Sequence, residues 1–470
     1  MARKQGELFC DIGQGRGIRC NKGSSAGIEP GTLIVKEEPY SYTLTDGELL
    51  RTRCHYCLKR LENSVCCDAC RAAKYCNEEC KKAAKFHHKP ECRGYTRLMN
   101  LPEHLRVMGR ILYKMHARKT DMGALGPLSS LVSNVETIKN CEEGIQSLES
   151  KMDSVAQHME KEALPDRAFM EEIYGKIASN SFAILDENMC SIGIGVYPQA
   201  SMINHSCKSN CIGMFYGPQI QIRANEFIRP GEQIFHGYIP PLLPTAKRQE
   251  KLLKTYHFLC QCADCRNTER DRLMRCVKCP NCSERVAPNA DGIYKMCEAC
   301  GFANFDADFY EEMDLLIEYA ENILDKEQEQ DREYDLYFLE SCLAQLEFTL
   351  HSDNVYVIRI LKDLVEVCMD LSQWEKAVQY GKRIEPGYKM FLKRYDLDQG
   401  LLYHKMGVAY YRLSDQSSAL PYLRLAKATL TITSGEDSCL VQEVSDLLDE
   451  CVSKEIDSLL LECGCPNMDH

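Results

Sequence analysis

The apolar positions of this chain follow different periods in different parts. Residues 1 to 48 read as short strands and turns, with "GQGRGIRC" and "GIEPGTLIVKEEPYSYTL" punctuated by Gly and Pro. From about Leu101 to Ile177, Leu, Ile and Met recur at helical spacing, as in "LRVMGRILYKM" and "MEEIYGKIA", which predicts several helices joined by polar loops. The pattern then turns β-rich in "FAILD", "CSIGIGVYP", "QIQIRA" and "EQIFHGY", with "RPGE" as a turn between two of them. From about Asp306 it is helical throughout: "FYEEMDLLIEYAENIL", "YFLESCLAQLEFTL", "VYVIRILKDLVEVCMDL", "WEKAVQYGKRI", "LLYHKMGVAYYRL" and "ALPYLRLAKATLTI" predict pairs of amphipathic helices. Gly407, Ala409, Ala419 and Ala426 fall where packed antiparallel helices touch, which suggests tetratricopeptide-like hairpins in a degenerate repeat.

Two cysteine-dense blocks, Cys54 to Cys92 and Cys260 to Cys300, interrupt these patterns. The chain of 470 residues suits roughly three domains with substantial cores and no need of disulfide staples. It has no apolar run of about 18 residues, and its start, "MARKQGELFC", lacks the apolar core of a secretion signal, so a soluble, intracellular protein with no membrane partner is expected. In a reducing compartment, 28 cysteines at short spacings point to metal rather than to disulfides. The net charge of −12 is uneven: residues 1–100 carry 18 Lys+Arg against 12 Asp+Glu, and residues 301–470 carry 15 against 34. The acidic end is suited to attract basic, lysine-bearing chains, although solvation alone also accounts for it.

The first block reads Cys54-x2-Cys57, Cys67-x2-Cys70, Cys76-x3-Cys80 and His88-x3-Cys92. Eight N/S ligands at these spacings suit two tetrahedral zinc ions, whose binding would supply folding energy to a segment with few apolar residues. In the second block, Cys260, Cys262 and Cys265 are one thiolate short of a closed site, whereas Cys279-x2-Cys282 and Cys297-x2-Cys300 form a self-sufficient zinc ribbon with Cys276 left over.

The first block resembles the MYND zinc finger, whose ligands interleave. That resemblance implies that Cys54, Cys57, Cys76 and Cys80 share one ion and Cys67, Cys70, His88 and Cys92 the other. A slip of one residue, to Cys66 or His87, stays open, and "KFHH" stands where the family usually carries a Trp. Cys207 in "SMINHSCKSNC" is a candidate for the missing fourth thiolate. "NHSCKSNC", then "RPGEQIFHGY", then the CxCx2C cluster resemble the SET domain of protein lysine methyltransferases, with Lys208-Ser209-Asn210 where that family often has Asp-Pro-Asn. The whole order is similar to the SET and MYND (SMYD) family.

The resemblance implies an α+β multidomain fold. Its parts would be an N-terminal SET segment (1–48), a MYND-type finger (49–92), a helical insert (93–179), the core SET domain (180–240), a post-SET zinc region (241–270), the zinc-ribbon-like insertion (271–303) and a helical, tetratricopeptide-like end (304–470). It further implies S-adenosylmethionine as cofactor, lined by Gln14, Gly15, Arg16, Gly17, Asn134, Asn180, Ser201, Asn204, His205, Tyr238, Tyr256 and Phe258. Tyr238 would be catalytic, and four structural zincs would be held by the ligands above, with Cys207, Cys260, Cys262 and Cys265 on one of them. Expected partners are a lysine-bearing protein substrate, histone or non-histone, and proteins that dock on the finger and the helical end, with the chain a monomer in cytoplasm and nucleus. The rivals are a non-catalytic SET and MYND scaffold in transcriptional complexes, direct DNA binding, which lacks an Arg-rich reading helix, and a His205/Cys207 nucleophile pair, which lacks a third orienting group.

Overall fold

The structure, a computed structural model, describes residues 6–11, 15–21, 26–45, 47–118, 126–325 and 331–462. It divides into two compact units. One comprises Met1–His205, Asn210–His236 and Leu252–Phe258, the other Ser206–Ser209, Gly237–Lys251 and Leu259–His470. Among the described residues no helix is long and apolar enough to cross a membrane.

In the first unit, the strand Gln219–Ala224 buries Ile220, Ile222 and Ala224 and leaves the residues between them half-buried, the period of two expected of a strand with one face on a core. It pairs antiparallel with Leu33–Glu37 on one side and Cys211–Tyr216 on the other. Two short strands, Phe235–His236 and Asn204–His205, continue the sheet in parallel and end it. The sequence pattern does not announce Cys211–Tyr216, because only its first residue is fully buried and the others are half-buried on both faces. Gly217, at φ 58°, turns the chain from this strand to the next. A Cβ there would stand 2.9 Å from the Cys57 carbonyl oxygen, so glycine serves both the turn and the close approach.

The expected "FAILD" and "CSIGIGVYP" strands are Ser181–Leu185 and Ser191–Val196, and the second of these is the centre of a three-stranded sheet with Ser41–Leu44. Three longer helices, Glu103–Ala117, Glu142–His158 and Arg167–Asn180, pack around Met108, Ile111, Leu148, Met152, Ile173 and Ile177. The buried Arg106 ties the first of them to the sheet by donating to the carbonyls of Leu101 at 3.0 Å and Leu44 at 2.7 Å.

The second unit ends in the helices Ala307–Leu324, Arg332–Thr349, Val355–Asp370, Trp374–Phe391, Leu397–Arg412, Gln416–Ser434 and Cys439–Glu462. Asp306, Asp331, Asn354, Asp396 and Asp415 cap the N-termini of five of them with their side-chain oxygens. Two turns repeat: Ser372 and Ser414 sit at φ 56° and 60°. The N–H groups that follow, of Gln373 and Asp415, reach back to the Cys368 and Tyr410 carbonyls at 2.8 and 3.0 Å. Ala409, Ala419 and Ala426 are fully buried, and a Cβ on Gly407 would stand 2.6 Å from Leu423 Cδ2, so small residues do mark the helix contacts. One helix outruns its expected end: "WEKAVQYGKRI" continues through Pro386 to Phe391. Gly387 and Tyr388 are buried beyond that proline, so packing holds the helix past the missing N–H.

Candidate functional site

Four sets of side chains gather ligand atoms within 4.8 Å of one another: Cys54, Cys57, Cys76 and Cys80; Cys67, Cys70, His88 and Cys92; Cys207, Cys260, Cys262 and Cys265; Cys279, Cys282, Cys297 and Cys300. Sulfur separations are 3.7 Å for Cys57 and Cys76, 3.7 Å for Cys67 and Cys92, 3.6 Å for Cys207 and Cys265, and 3.5 Å for Cys279 and Cys300. Thiolates about 2.3 Å from a tetrahedral zinc stand about 3.8 Å apart, whereas disulfide sulfurs stand about 2.05 Å apart. The donor sets therefore fit zinc and do not fit crosslinks. Donation to Cys54 from the Cys57 thiol and from nearby backbone N–H groups holds that sulfur down to about 4, the thiolate state a metal needs.

The knuckles share one backbone form. The residue after each second cysteine donates its N–H to the carbonyl of the first: Leu58 to Cys54 at 3.0 Å, Arg71 to Cys67 at 2.9 Å, Ser283 to Cys279 and Gly301 to Cys297 at 2.8 Å. All four sit at positive φ, between 54° and 75°. This turn points both thiols of a knuckle to one side, and only one of the four positions uses glycine for it.

The one-residue ambiguity resolves to Cys67 and His88. His88 lies with Nε2 3.3 Å from the Cys70 sulfur and Nδ1 3.4 Å from Glu91 Oε1, and Glu91, almost fully buried, is paired through its other oxygen with Arg110 Nε at 2.8 Å. A carboxylate behind the imidazole fixes the proton on Nδ1 and turns the Nε2 lone pair to the thiols. His87 instead packs its ring against Tyr42 and Phe86. At the Cys207 set, the fully buried Arg248 donates to Thr245 Oγ1 at 2.9 Å and lies 3.7 Å from the Cys265 sulfur. That guanidinium offsets the charge of four thiolates, a role that nothing in the local sequence around Arg248 signals. Cys276 is buried outside the ribbon set, and its carbonyl accepts from Asn354 Nδ2 at 2.9 Å.

Residues 204–211 and 232–236 are laced together by one side chain that the sequence reading passed over. The buried Asn210 accepts from Phe235 N–H through Oδ1 at 2.7 Å and donates through Nδ2 to the Gln233 carbonyl at 2.8 Å. Its own backbone N–H donates to the Phe235 carbonyl at 3.1 Å, and its carbonyl accepts from Asn225 N–H at 3.1 Å. The clamp seats Phe235–His236 against the strand that begins at Cys211, which faces His236; on its other side Phe235–His236 pairs in parallel with Asn204–His205. His236 is held neutral by burial, down to about 4, and stacks on Phe182 with centroids 6.1 Å apart. Its signal in the sequence was Asn210 itself, the asparagine that survives where Asp-Pro precedes it in the resembling family.

Several expected cofactor residues fall into connected groups. Ser201 Oγ lies 2.8 Å from the Tyr197 carbonyl and 3.1 Å from that of Asn180. Asn180 spends its amide hydrogens on the Val132 and Lys176 carbonyls at 2.8 and 2.7 Å, and Asn134 donates to Ser179 at 3.1 Å. The Glu37 carboxylate accepts from Gln199 and Ala200 N–H groups at 3.0 and 2.9 Å and so fixes the turn that carries Ser201. Asn204 and His205 form the edge strand, both half-buried, with the Phe258 ring 5.9 Å from that of His205. Tyr256 ends the helix Thr245–Tyr256, and Tyr238 is half-buried in the bend that follows Phe235–His236. Gly15, Arg16 and Gly17 begin the strand Gly15–Cys20, whose Cys20 N–H donates to the Glu232 carbonyl at 2.8 Å; Gln14 lies outside the described residues.

A model of the SET domain family matches residues 15–239. The chain is 27% identical over 448 residues to the human (Homo sapiens) protein named N-lysine methyltransferase SMYD2, covering 93% of this chain and 96% of that one. It is 27% identical over 457 residues to the SMYD2 of Gallus gallus, covering 94% and 97%, and 26% identical over 450 residues to SMYD2-A of Danio rerio, covering 93% and 96%. A matched SET domain, an interleaved finger lodged within it and similarity along nearly the full length agree with one another: the chain is similar to the SET and MYND (SMYD) family from end to end.

Proposed function

We propose that the chain is an S-adenosylmethionine-dependent protein-lysine N-methyltransferase. The observation that carries this reading is the edge strand Asn204–His205, paired in parallel with Phe235–His236 and set beside the ring of Phe258. An edge strand turns one row of backbone N–H and C=O groups outward. Such groups beside an aromatic ring suit a ligand with an amino-acid end and a purine. Gly15, Arg16, Gly17, Asn134, Asn180, Ser201, Asn204, His205, Tyr256 and Phe258, with Gln14, are the residues that would hold it. The cofactor supplies a methyl group activated on a sulfonium. The family's relatives that are named N-lysine methyltransferases support the reaction class.

For its part, the protein must present a neutral amine in line with the methyl group. A lysine amine, near pKa 10.4 in water, loses its proton more readily where apolar walls strip its hydration. The Tyr238 hydroxyl would orient that amine, and the zinc sites would be structural, since each set already supplies four protein ligands. The substrates would be lysine-bearing proteins, histone or non-histone, met by a monomer in cytoplasm and nucleus, with consequences for transcription and with protein partners on the finger and helical end.

The test is transfer of label from radiolabelled S-adenosylmethionine to mixed histone and cytosolic proteins, with Tyr238→Phe alongside. Label well above the variant is expected. Cofactor binding without label above the variant would overturn the enzyme reading in favour of a SET and MYND scaffold that recruits partners.

A further inference from the structure

The helix Arg332–Thr349 is apolar on two opposite faces. Leu336, Leu339, Cys342, Leu343 and Leu346 are buried, which accounts for one of them. On the other, Tyr337 is 69% and Phe348 84% exposed, and Tyr334 and Phe338 lie in the same row. The Tyr334 and Phe338 ring centroids are 4.3 Å apart, and Tyr337 meets Phe338 edge-on at 5.7 Å. Tyr334, Tyr337 and Phe338 cluster near the start of the helix, and Phe348 stands on the same face about 15 Å further on, with Ser341 and Gln345 between. Single exposed aromatics are ordinary on a protein surface, whereas three touching rings with a fourth on the same face mark a place of contact.

The preceding helix, Ala307–Leu324, runs alongside. Thr349 Oγ1 lies 3.3 Å from Glu312 Oε1, which sets Leu315, 61% exposed and one turn on from Glu312, near the Phe348 end of the row. That helix carries Asp308, Glu311, Glu312, Asp314, Glu318 and Glu321 and no Lys or Arg. Glu321 is paired with Lys247. Asp308, Glu311, Asp314 and Glu318 are exposed and have no cationic partner among the described residues. Uncompensated carboxylates beside aromatic rings disfavour an acidic or purely apolar occupant and favour one with cations, which gain from both the charges and the ring faces.

We propose that this hairpin face docks a basic, Lys- and Arg-bearing amphipathic segment of another protein, with its apolar side chains on the aromatic row and its cations toward the carboxylates of Ala307–Leu324. The proposal stands apart from the methyltransferase reading, since it concerns binding alone. The test measures fluorescence anisotropy of a labelled Leu/Lys amphipathic peptide with the full chain, beside the same peptide with Glu for Lys. The Lys peptide alone should bind, more weakly as salt is raised. Its affinity should fall about tenfold in Tyr337→Ser/Phe348→Ser and again in Glu311→Lys/Glu318→Lys, with both variants melting as the parent does. Equal binding of the Glu peptide, undiminished binding in both variants, or no binding would overturn the proposal. So would sedimentation showing the parent dimeric and the serine variant monomeric, which would make a second copy the occupant.

Discussion

Replacing Asn210 by alanine removes two side-chain hydrogen bonds and leaves the backbone ones standing. Phe235 N–H loses its acceptor at 2.7 Å and the Gln233 carbonyl its donor at 2.8 Å. A buried group stripped of its partner costs about 1–3 kcal/mol, and Gln233 is half-buried, so water recovers part of its share. A local cost of about 2 kcal/mol corresponds to about a 30-fold rise in the opening equilibrium. Hydrogen exchange read by mass spectrometry on the peptide spanning 228–238 should therefore quicken about 30-fold in Asn210→Ala. The helices of the second unit, which share none of these bonds, should exchange as before. Asn210→Asp keeps the acceptor for Phe235 N–H and should show a smaller effect. Exchange in Asn210→Ala within about threefold of the parent would refute the claim that this side chain laces the segment.

Glu91→Gln should weaken zinc retention in the finger about tenfold, by removing the charge that orients His88 and pairs with Arg110; a chelator competition read by a zinc dye measures it. Gly407→Ala should lower stability by about 1–3 kcal/mol in urea denaturation, because the added Cβ meets Leu423 at 2.6 Å inside the helix stack. Burial holds His236 and His404 down to about 4, against an ordinary value near 6.5. The fold keeps both neutral while the unfolded chain protonates, so their contribution is full above pH 6.5 and is lost as pH falls toward 4. The urea midpoint should drop across that window, and His404→Gln should make the drop shallower.

The clusters of ligand atoms were legible because a knuckle is local: two thiols three residues apart declare themselves without knowledge of the fold. The choice between His87 and His88 was not, since adjacent residues have indistinguishable spacing and the deciding group is Glu91, buried behind one of them. Asn210 looked like the remnant of a turn that had lost its proline. Its work is done on residues 233 and 235, which no local pattern links to it. Arg248 is a lone cation in a helix of many, and only tertiary structure puts it beside a thiolate cluster. In the helical end, periodicity named six of the seven described helices and missed Cys439–Glu462, and the small residues it singled out at contacts are buried there. The extension through Pro386 escaped it because local propensity stops where packing does not.

The placement of the finger between strands also bears on how the chain is made. Leu33–Glu37 finds its partner strand about 180 residues later, so at about 5–20 residues per second the ribosome keeps that edge waiting for roughly 10–40 s. The cysteine block from 54 to 92 closes on ligands no more than a few tens of residues apart and needs only metal to do so. It is therefore equipped to fold first, shortening the flexible chain that the early strands must loop out before they pair. Scarcity of zinc during synthesis would then be felt as misassembly of the sheet, in cells where the finished protein keeps its ions.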